Sequence, residues 1–481
     1  MKSILYLLLL CTLFIQPSFA QLGMGGQPHP SAALDVKATD KALYPPRLTT
    51  VQRKAIANPQ PGAFVYDLDQ SAFYLFDGAN WLPLAFQNPA SVMPTTRLAS
   101  DGASGDYFGF SVAISGDYAI VGAYNKTIGT NAQQGAAYVF VRSGSGWTQQ
   151  ARLTANDGAV GDVFGSSVAI SGDYALVGAY NDDNGANANQ GSAYVFVRSG
   201  STWTQQTKLT AADGAANDYF GSSVAISGDY ALLGAFGDDI GANSRQGSAY
   251  VFERSGSSWT QQAKLTATDG VADDGFGSSV AISGDYALVG ASNDAIGTNA
   301  YQGSAYIFQI SSFLFFPRTW TQRAKLTASD GASGDYFGFS VAISGDYALV
   351  GASDKTIGSN IGQGSAYVFV RNGSNWTQQA KLTTTDGAAG DFFGSNVAIS
   401  GDYALVGAYG DDIGANSEQG SAYIFKRTGA IWSRVRQVSD NSPANTYNGR
   451  SVGLSNGSFI IGGPAGFDDG KGKVSFGVVD N

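Results

Sequence analysis

The chain of 481 residues has one cysteine, Cys11, and one histidine, His29. Cys11 sits inside an apolar N-terminal stretch, so the rest of the chain has no disulfides and no thiol chemistry, and its stability must come from packing. The single histidine, between Pro28 and Pro30, excludes a Ser-His-Asp triad or a histidine-held metal site in the remainder of the chain. Glutamate is nearly missing: of 38 acidic residues only Glu253 and Glu418 are glutamates. After Ile4–Ile15 no apolar run is long enough to cross a bilayer, so no transmembrane segment is expected. With 28 basic residues the net charge is −10, which repels nucleic acid and anionic lipid and argues against a nucleic-acid partner.

What is present begins with a signal pattern. Lys2, the short run Ile4–Ile15 and Ser18-Phe19-Ala20 read as a secretory signal peptide over 1–20 with Gln21 as the mature start. Leu10 stands before Cys11 where lipid attachment wants a small residue, so lipidation is not expected. The protein is expected to be secreted, extracellular or held at the cell surface. Glycine (64 residues) and aspartate both suit tight turns. With 43% hydrophobic and 14% charged residues, the chain is a folded one.

A block of about 56 residues is written seven times. Its marker, Phe-Gly-x-Ser-Val-Ala-Ile-Ser-Gly-Asp-Tyr, places a glycine at 109, 165, 221, 277, 338, 394 and, degenerately, 449. In the second copy, Ser167 to Ser171 reads as a short strand, Gly172-Asp173 as a turn and Tyr174 to Ala179 as a second strand. A polar loop follows to Gly191, then strands at Ser192 to Arg198 and Trp203 to Thr210. Period-two alternation marks the last as half exposed. Four antiparallel strands per repeat with no helix between them predict an all-β, seven-bladed β-propeller over 91–481. The seventh copy stops after its third strand, while Thr95 to Ser100 matches the end of a fourth. That N-terminal strand is therefore expected to complete the last blade and close the ring.

The pairs Phe108-Gly109, Phe164-Gly165, Phe220-Gly221, Phe276-Gly277, Phe337-Gly338 and Phe393-Gly394, with Gly-Ala at 122, 178, 234, 290, 351 and 407, resemble the FG-GAP repeats of integrin α-subunit propellers and of many bacterial surface proteins. The proline of the second motif is replaced in six copies and appears as Gly463-Pro464 in the seventh. The resemblance implies the propeller fold and, by analogy, adhesion or ligand recognition. The integrin calcium loop between the first two strands is here only Ser-Gly-Asp-Tyr, too short to wrap a cation, so those sites do not carry over.

Both long loops of each blade, the 2–3 and the 4–1 connections, are expected on one face. That face is rich in aspartate, while the other bears Arg142, Arg198, Arg254 and Arg371 and is read as milder and partly basic. The 4–1 pairs Asp157/Asp162, Asp213/Asp218 and Asp386/Asp391 read as turn stabilisers. For the 2–3 loops two readings stand, turn formation and Ca²⁺ binding through Asp182, Asp183, Asp238, Asp239, Asp411 and Asp412. No other cofactor is expected. At the channel mouth the residue after Phe-Gly is Phe110, Ser166, Ser222, Ser278, Phe339, Ser395 or Arg450, and the loop starts nearby carry Tyr124, Tyr180, Phe236 and Tyr409. Phe110, Phe339, Arg450 and these four aromatics are the candidate ligand-binding residues, against the simpler reading that the rings plug the opening. A five-residue insertion in the fourth copy gathers Phe313, Leu314, Phe315 and Phe316 as a candidate partner patch.

Residues 21–90 read as a small N-terminal module. Thr49-Thr50-Val51-Gln52 resembles a capping box opening one short helix, and Gly62 to Phe86 reads as three short strands. Oligomerisation or anchoring is assigned to this module. The expected function is binding or adhesion to an extracellular glycan or protein through the loop-bearing face. A passive surface scaffold is the alternative, and a polysaccharide-acting enzyme using aspartates a more distant one, so no enzymatic activity is expected.

Overall fold

The computed structural model describes residues 22–24, 34–36, 45–70, 72–83, 94–311, 318–440, 442–465 and 470–479. The signal segment 1–20 and the patch Phe313–Phe316 lie outside them. The chain divides into two compact units, 1–91 and 92–481.

In the first unit, Leu22–Met24 pairs in parallel with Leu34–Val36. Thr49 caps the helix Thr50–Lys54: its hydroxyl accepts from the Gln52 amide while the Gln52 side chain accepts from the Thr49 amide. Arg53 is buried, ion-paired to the fully buried Asp67 at 2.7 Å and lying 3.6 Å from the Tyr74 ring centroid. A mixed sheet of Arg47–Leu48, Phe64–Asp67, Ala72–Phe76 and Trp81–Pro83 completes what is described of this unit.

Among the described residues the second unit holds seven four-stranded antiparallel sheets. They run from Ser111 to Leu153, Ser167 to Leu209, Ser223 to Leu265, Phe276 to Leu326, Phe337 to Leu382 and Asn396 to Val438, and the seventh joins Ser451–Ser455, Ser458–Gly463 and Lys473–Val478 to Thr95–Arg97. In that last sheet Arg97, Thr96 and Thr95 lie opposite Val474, Ser475 and Phe476. This is the arrangement of a β-propeller. Its core lies between sheets: Ile120, Val139 and Leu153 of the first pack with Val168, Val177, Phe196 and Trp203 of the second. The same layer joins the seventh to the first through Ile460, Val474 and Phe476 against Ile114, Val121, Tyr138 and Trp147.

The two repeated glycines explain how the sheets meet. A Cβ on Gly178 would collide with the carbonyl oxygen of Gly221, the Phe-Gly glycine of the next sheet, and one on Gly462 would collide with that of Gly109. Gly165 also needs the left-handed region, with φ of +90°. Ser111 donates to the Gly165 carbonyl at 2.8 Å, and Ser451 donates to that of Gly109 at 2.8 Å. The seam between the seventh and first sheets is thus built like the others. The 4–1 and 2–3 connections do share one face: the amides of Gly161, Val163 and Phe164 bond the carbonyls of Ala132, Gln133 and Gln134.

Candidate functional site at the cavity mouth

All seven inner strands line one axial cavity of about 380 Å³. Phe110, Phe339 and Arg450 line it together with the serines that hold the equivalent place in other sheets, such as Ser166, Ser222 and Ser395. Its wall has a definite polarity. Ser111, Ser167, Ser223 and Ser279 each give their hydroxyl proton to a glycine carbonyl of the next sheet at 2.7–2.8 Å, which leaves oxygen lone pairs as acceptors.

The structure draws the predicted rim aromatics into contacts around this opening. Tyr124 meets Phe110 edge-on at 4.6 Å and stacks on Tyr107 at 5.4 Å. Tyr180 and Phe236 both contact Tyr219, at 6.1 and 5.1 Å. Tyr409 stacks on Phe392 at 5.0 Å and touches Tyr447 at 6.3 Å. The Arg450 guanidinium lies 5.3 Å from the ring centroids of both Phe110 and Tyr409. Burial raises the Tyr124 and Tyr409 hydroxyls above their usual range, with the Arg450 charge opposing the rise. Sequence reading missed Tyr107, Tyr219, Phe392 and Tyr447. All four hold φ between 54° and 56°, a conformation rare for aromatic residues. Their one visible signal is a recurring ring just before the Phe-Gly position.

The aspartates of the 2–3 loops are committed within the protein. Asp182 accepts from the Tyr194 hydroxyl at 2.8 Å and pairs with Lys208 at 2.7 Å. Asp238 accepts from Ser248 and Tyr250 and pairs with Lys264 at 2.7 Å. Asp411 accepts from Ser421, from Tyr423 at 2.7 Å and from Gln437 at 3.0 Å. The exposed Asp183, Asp239 and Asp412 each accept, at 2.8 Å, the amide six residues on, at Asn189, Arg245 and Glu418. Among the described residues no group of three or more His, Cys, Asp or Glu side chains is arranged to hold a metal.

In the 4–1 pairs the second member stabilises its own turn: Asp162, Asp218 and Asp391 accept the amides of Ala159, Ala215 and Ala388 at 2.5–2.6 Å. The first member does something else. Asp157, Asp213 and Asp386 pair with Lys208, Lys264 and Arg434 of the following sheet at 2.6–2.9 Å. The opposite face is not basic as expected, because Arg142, Arg198, Arg254 and Arg371 are each paired with the aspartate of a Gly-Asp turn, Asp117, Asp173, Asp229 and Asp346.

The model of the FG-GAP repeat matches residues 97–140, 147–196, 203–252, 259–308, 320–369 and 376–425, more than half of the chain. The chain belongs to the FG-GAP repeat family. Residues 23–97 are similar to a phage tail like trimerisation region. Among curated proteins none matches the chain. The FG-GAP motif has a direct meaning in this fold: its phenylalanines, such as Phe164, are buried against Tyr194 and Phe196, and its glycines form the seams. Among the described residues no helix is long and apolar enough to cross a membrane.

Proposed function

We propose that this FG-GAP propeller is an extracellular binding or adhesion protein that recognises a glycan or protein at its loop-bearing face. One observation carries the reading. The repeats keep the cavity wall nearly constant, and they depart from it at the opening, where Phe110, Phe339 and Arg450 replace serine. A packing role would be met by the common serine, whereas a concave site with a few aromatic and charged groups is what a ligand needs. The pattern of residues 1–20 supports export. The similarity of residues 23–97 to a trimerisation region supports three propellers on one stem, which turns a weak single site into a multivalent one. The integrin-like label extends only to this mode of use.

The full mature chain is to be applied to an array of extracellular glycans and matrix proteins. Saturable binding, lost in a Phe110→Ser/Phe339→Ser double variant that melts like the parent, is the expected outcome. Binding unchanged in that variant, or no saturable binding to any member, overturns the reading and favours a passive scaffold. Light scattering on the same chain is expected to give three times the monomer mass.

A further inference from the structure

We propose that the cavity mouth takes an acidic sugar, its carboxylate on Arg450, its ring against the aromatic rim and its hydroxyls on the serine wall; this rests on reading the loop-bearing face as a binding surface. Arg450 stands where four other sheets have serine. Its guanidinium is held beside two rings, and among the described residues no carboxylate pairs with it. The contrast within the molecule is sharp, since the arginines of the opposite face are tied to turn aspartates. An arginine oriented by aromatic faces keeps its planar donors preset for a carboxylate. In a chain with 38 acidic residues, that one of its own does not fill the place points to an anion from outside.

The rest of the cavity says what the anion is attached to. In five of the seven sheets the wall serine offers an acceptor, because Ser111, Ser167, Ser223, Ser279 and Ser451 give their hydroxyl protons to glycine carbonyls. Acceptors suit the hydroxyl donors of a sugar and repel a ligand that is anionic all round. Asp354 and Glu418, close enough to Tyr409 to raise its hydroxyl further, oppose a second negative charge. Phe339, 40% exposed, offers a free ring face for the apolar side of a pyranose. A volume of about 380 Å³ fits one or two sugar rings. An acidic peptide fits less well, because its backbone carbonyls would meet a wall of acceptors.

The test is calorimetric titration of the full mature chain with methyl galacturonoside, its methyl ester, methyl galactoside and a blocked Gly-Asp-Gly peptide, each acid carrying a single carboxylate. Methyl galacturonoside is expected to bind about tenfold or more tightly than its methyl ester, which keeps ring and hydroxyls but loses the charge. Arg450→Gln is expected to remove that difference while leaving the weak binding of the ester, and Phe339→Ser to weaken both. Equal binding of acid and ester, a difference that survives Arg450→Gln, or tighter binding of the peptide overturns the proposal. If none of the four binds while the array yields another ligand, the acidic-sugar assignment falls and the binding reading stands; if the array is silent as well, both fall.

Discussion

The first and fifth sheets differ from the second, third, fourth and sixth at one buried position. Lys126 and Lys355 stand where the others have Asp182, Asp238, Asp294 and Asp411. The backbone makes no distinction: the carbonyl of each of these residues accepts, at 2.9 Å, the amide of the glycine just before the third strand. In the lysine sheets the ammonium meets Asp106 at 2.8 Å and Asp335 at 2.9 Å. In the aspartate sheets two carboxylates share the space; in the second, third and fourth the cation comes from the fourth strand instead, as Lys208, Lys264 or Lys325, and in the sixth Gln437 donates to Asp411 from the same place. The tyrosine hydroxyl of the third strand adjusts as well: it goes to Asp101 or Asp330 in the lysine sheets, and in the others it reaches the 2–3 loop aspartate, in the third and fourth sheets while also meeting Asp213 and Asp269. What burial requires here is that each carboxylate find a cation, a hydrogen-bond donor or a proton, and unrelated side chains meet that demand on one backbone.

Removing the buried lysine is expected to have the largest effect. Lys355→Met leaves the buried Asp335 without its cation and should cost about 3 kcal/mol, read as a lower Tm by calorimetry. Lys325→Met in the fourth sheet, where the lysine side chain is 25% exposed, should cost about 1 kcal/mol. Equal losses would erase the distinction between the two kinds of sheet.

The pH dependence separates them next. Burial pushes the carboxyls of Asp218, Asp274 and Asp391 up to about 6, against an amide hydrogen bond and with help from Asp238, Asp294 and Asp411. The folded state then holds those protons more tightly than the unfolded one, so these sheets gain stability as pH falls through 6. At Asp157, Asp213, Asp269 and Asp330, burial acts upward but is outweighed by the paired lysines, so these carboxyls lie below the usual range and their stability is lost as pH falls below about 4. Tm should therefore rise by about 2–4 °C from pH 7.5 to 5 and drop below pH 4. A steady fall from pH 7.5 downward would contradict the assignment of the aspartate pairs.

A smaller difference sets the fourth and fifth sheets apart. The indole N–H of Trp203, Trp259 and Trp432 donates to Gln150, Gln206 and Gln379 of the preceding sheet, whereas those of Trp320 and Trp376 have no partner: Gln262 turns to Thr260 instead, and Arg323 stands at the glutamine's place before Trp376. Arg323→Gln should stabilise by about 1 kcal/mol in denaturant titration. The smallest effect is expected from calcium. With the 2–3 loop aspartates already engaged, millimolar Ca²⁺ and EDTA should leave Tm within about 1 °C of each other. A larger calcium shift would return Asp182, Asp238 and Asp411 to the metal reading.

The strands were legible because each repeat repeats its turn signals. Ser167–Ser171 and Tyr174–Ala179 fall where the pattern puts them, and the third and fourth strands of that copy, Ser192–Ser199 and Thr202–Leu209, differ by a residue because Ser199 pairs directly with Thr202 across the turn. In the fourth and fifth sheets the inner strand reaches back to Phe276 and Phe337 through a bulge that periodicity alone does not announce. Of the site, the residues after Phe-Gly were legible because they break a pattern. The partners of the aspartates were not. Asp157 and Lys208, 51 residues apart, are brought together only by the stacking of one sheet on the next, and Asp173 and Arg198, 25 apart, only by the pairing of the second and third strands within a sheet. Tyr107, Tyr219 and Phe392 escaped for a local reason, since conformational preference argues against aromatics at positive φ.

The glycine seams let main chain meet main chain, and the wall serines fasten them, so the residues after Phe-Gly that look into the bore are relieved of holding the wheel together. The seven addresses after Phe-Gly behave as interchangeable sockets on a common hub. A new specificity can be written one spoke at a time, and a duplicated spoke carries its own fasteners with it.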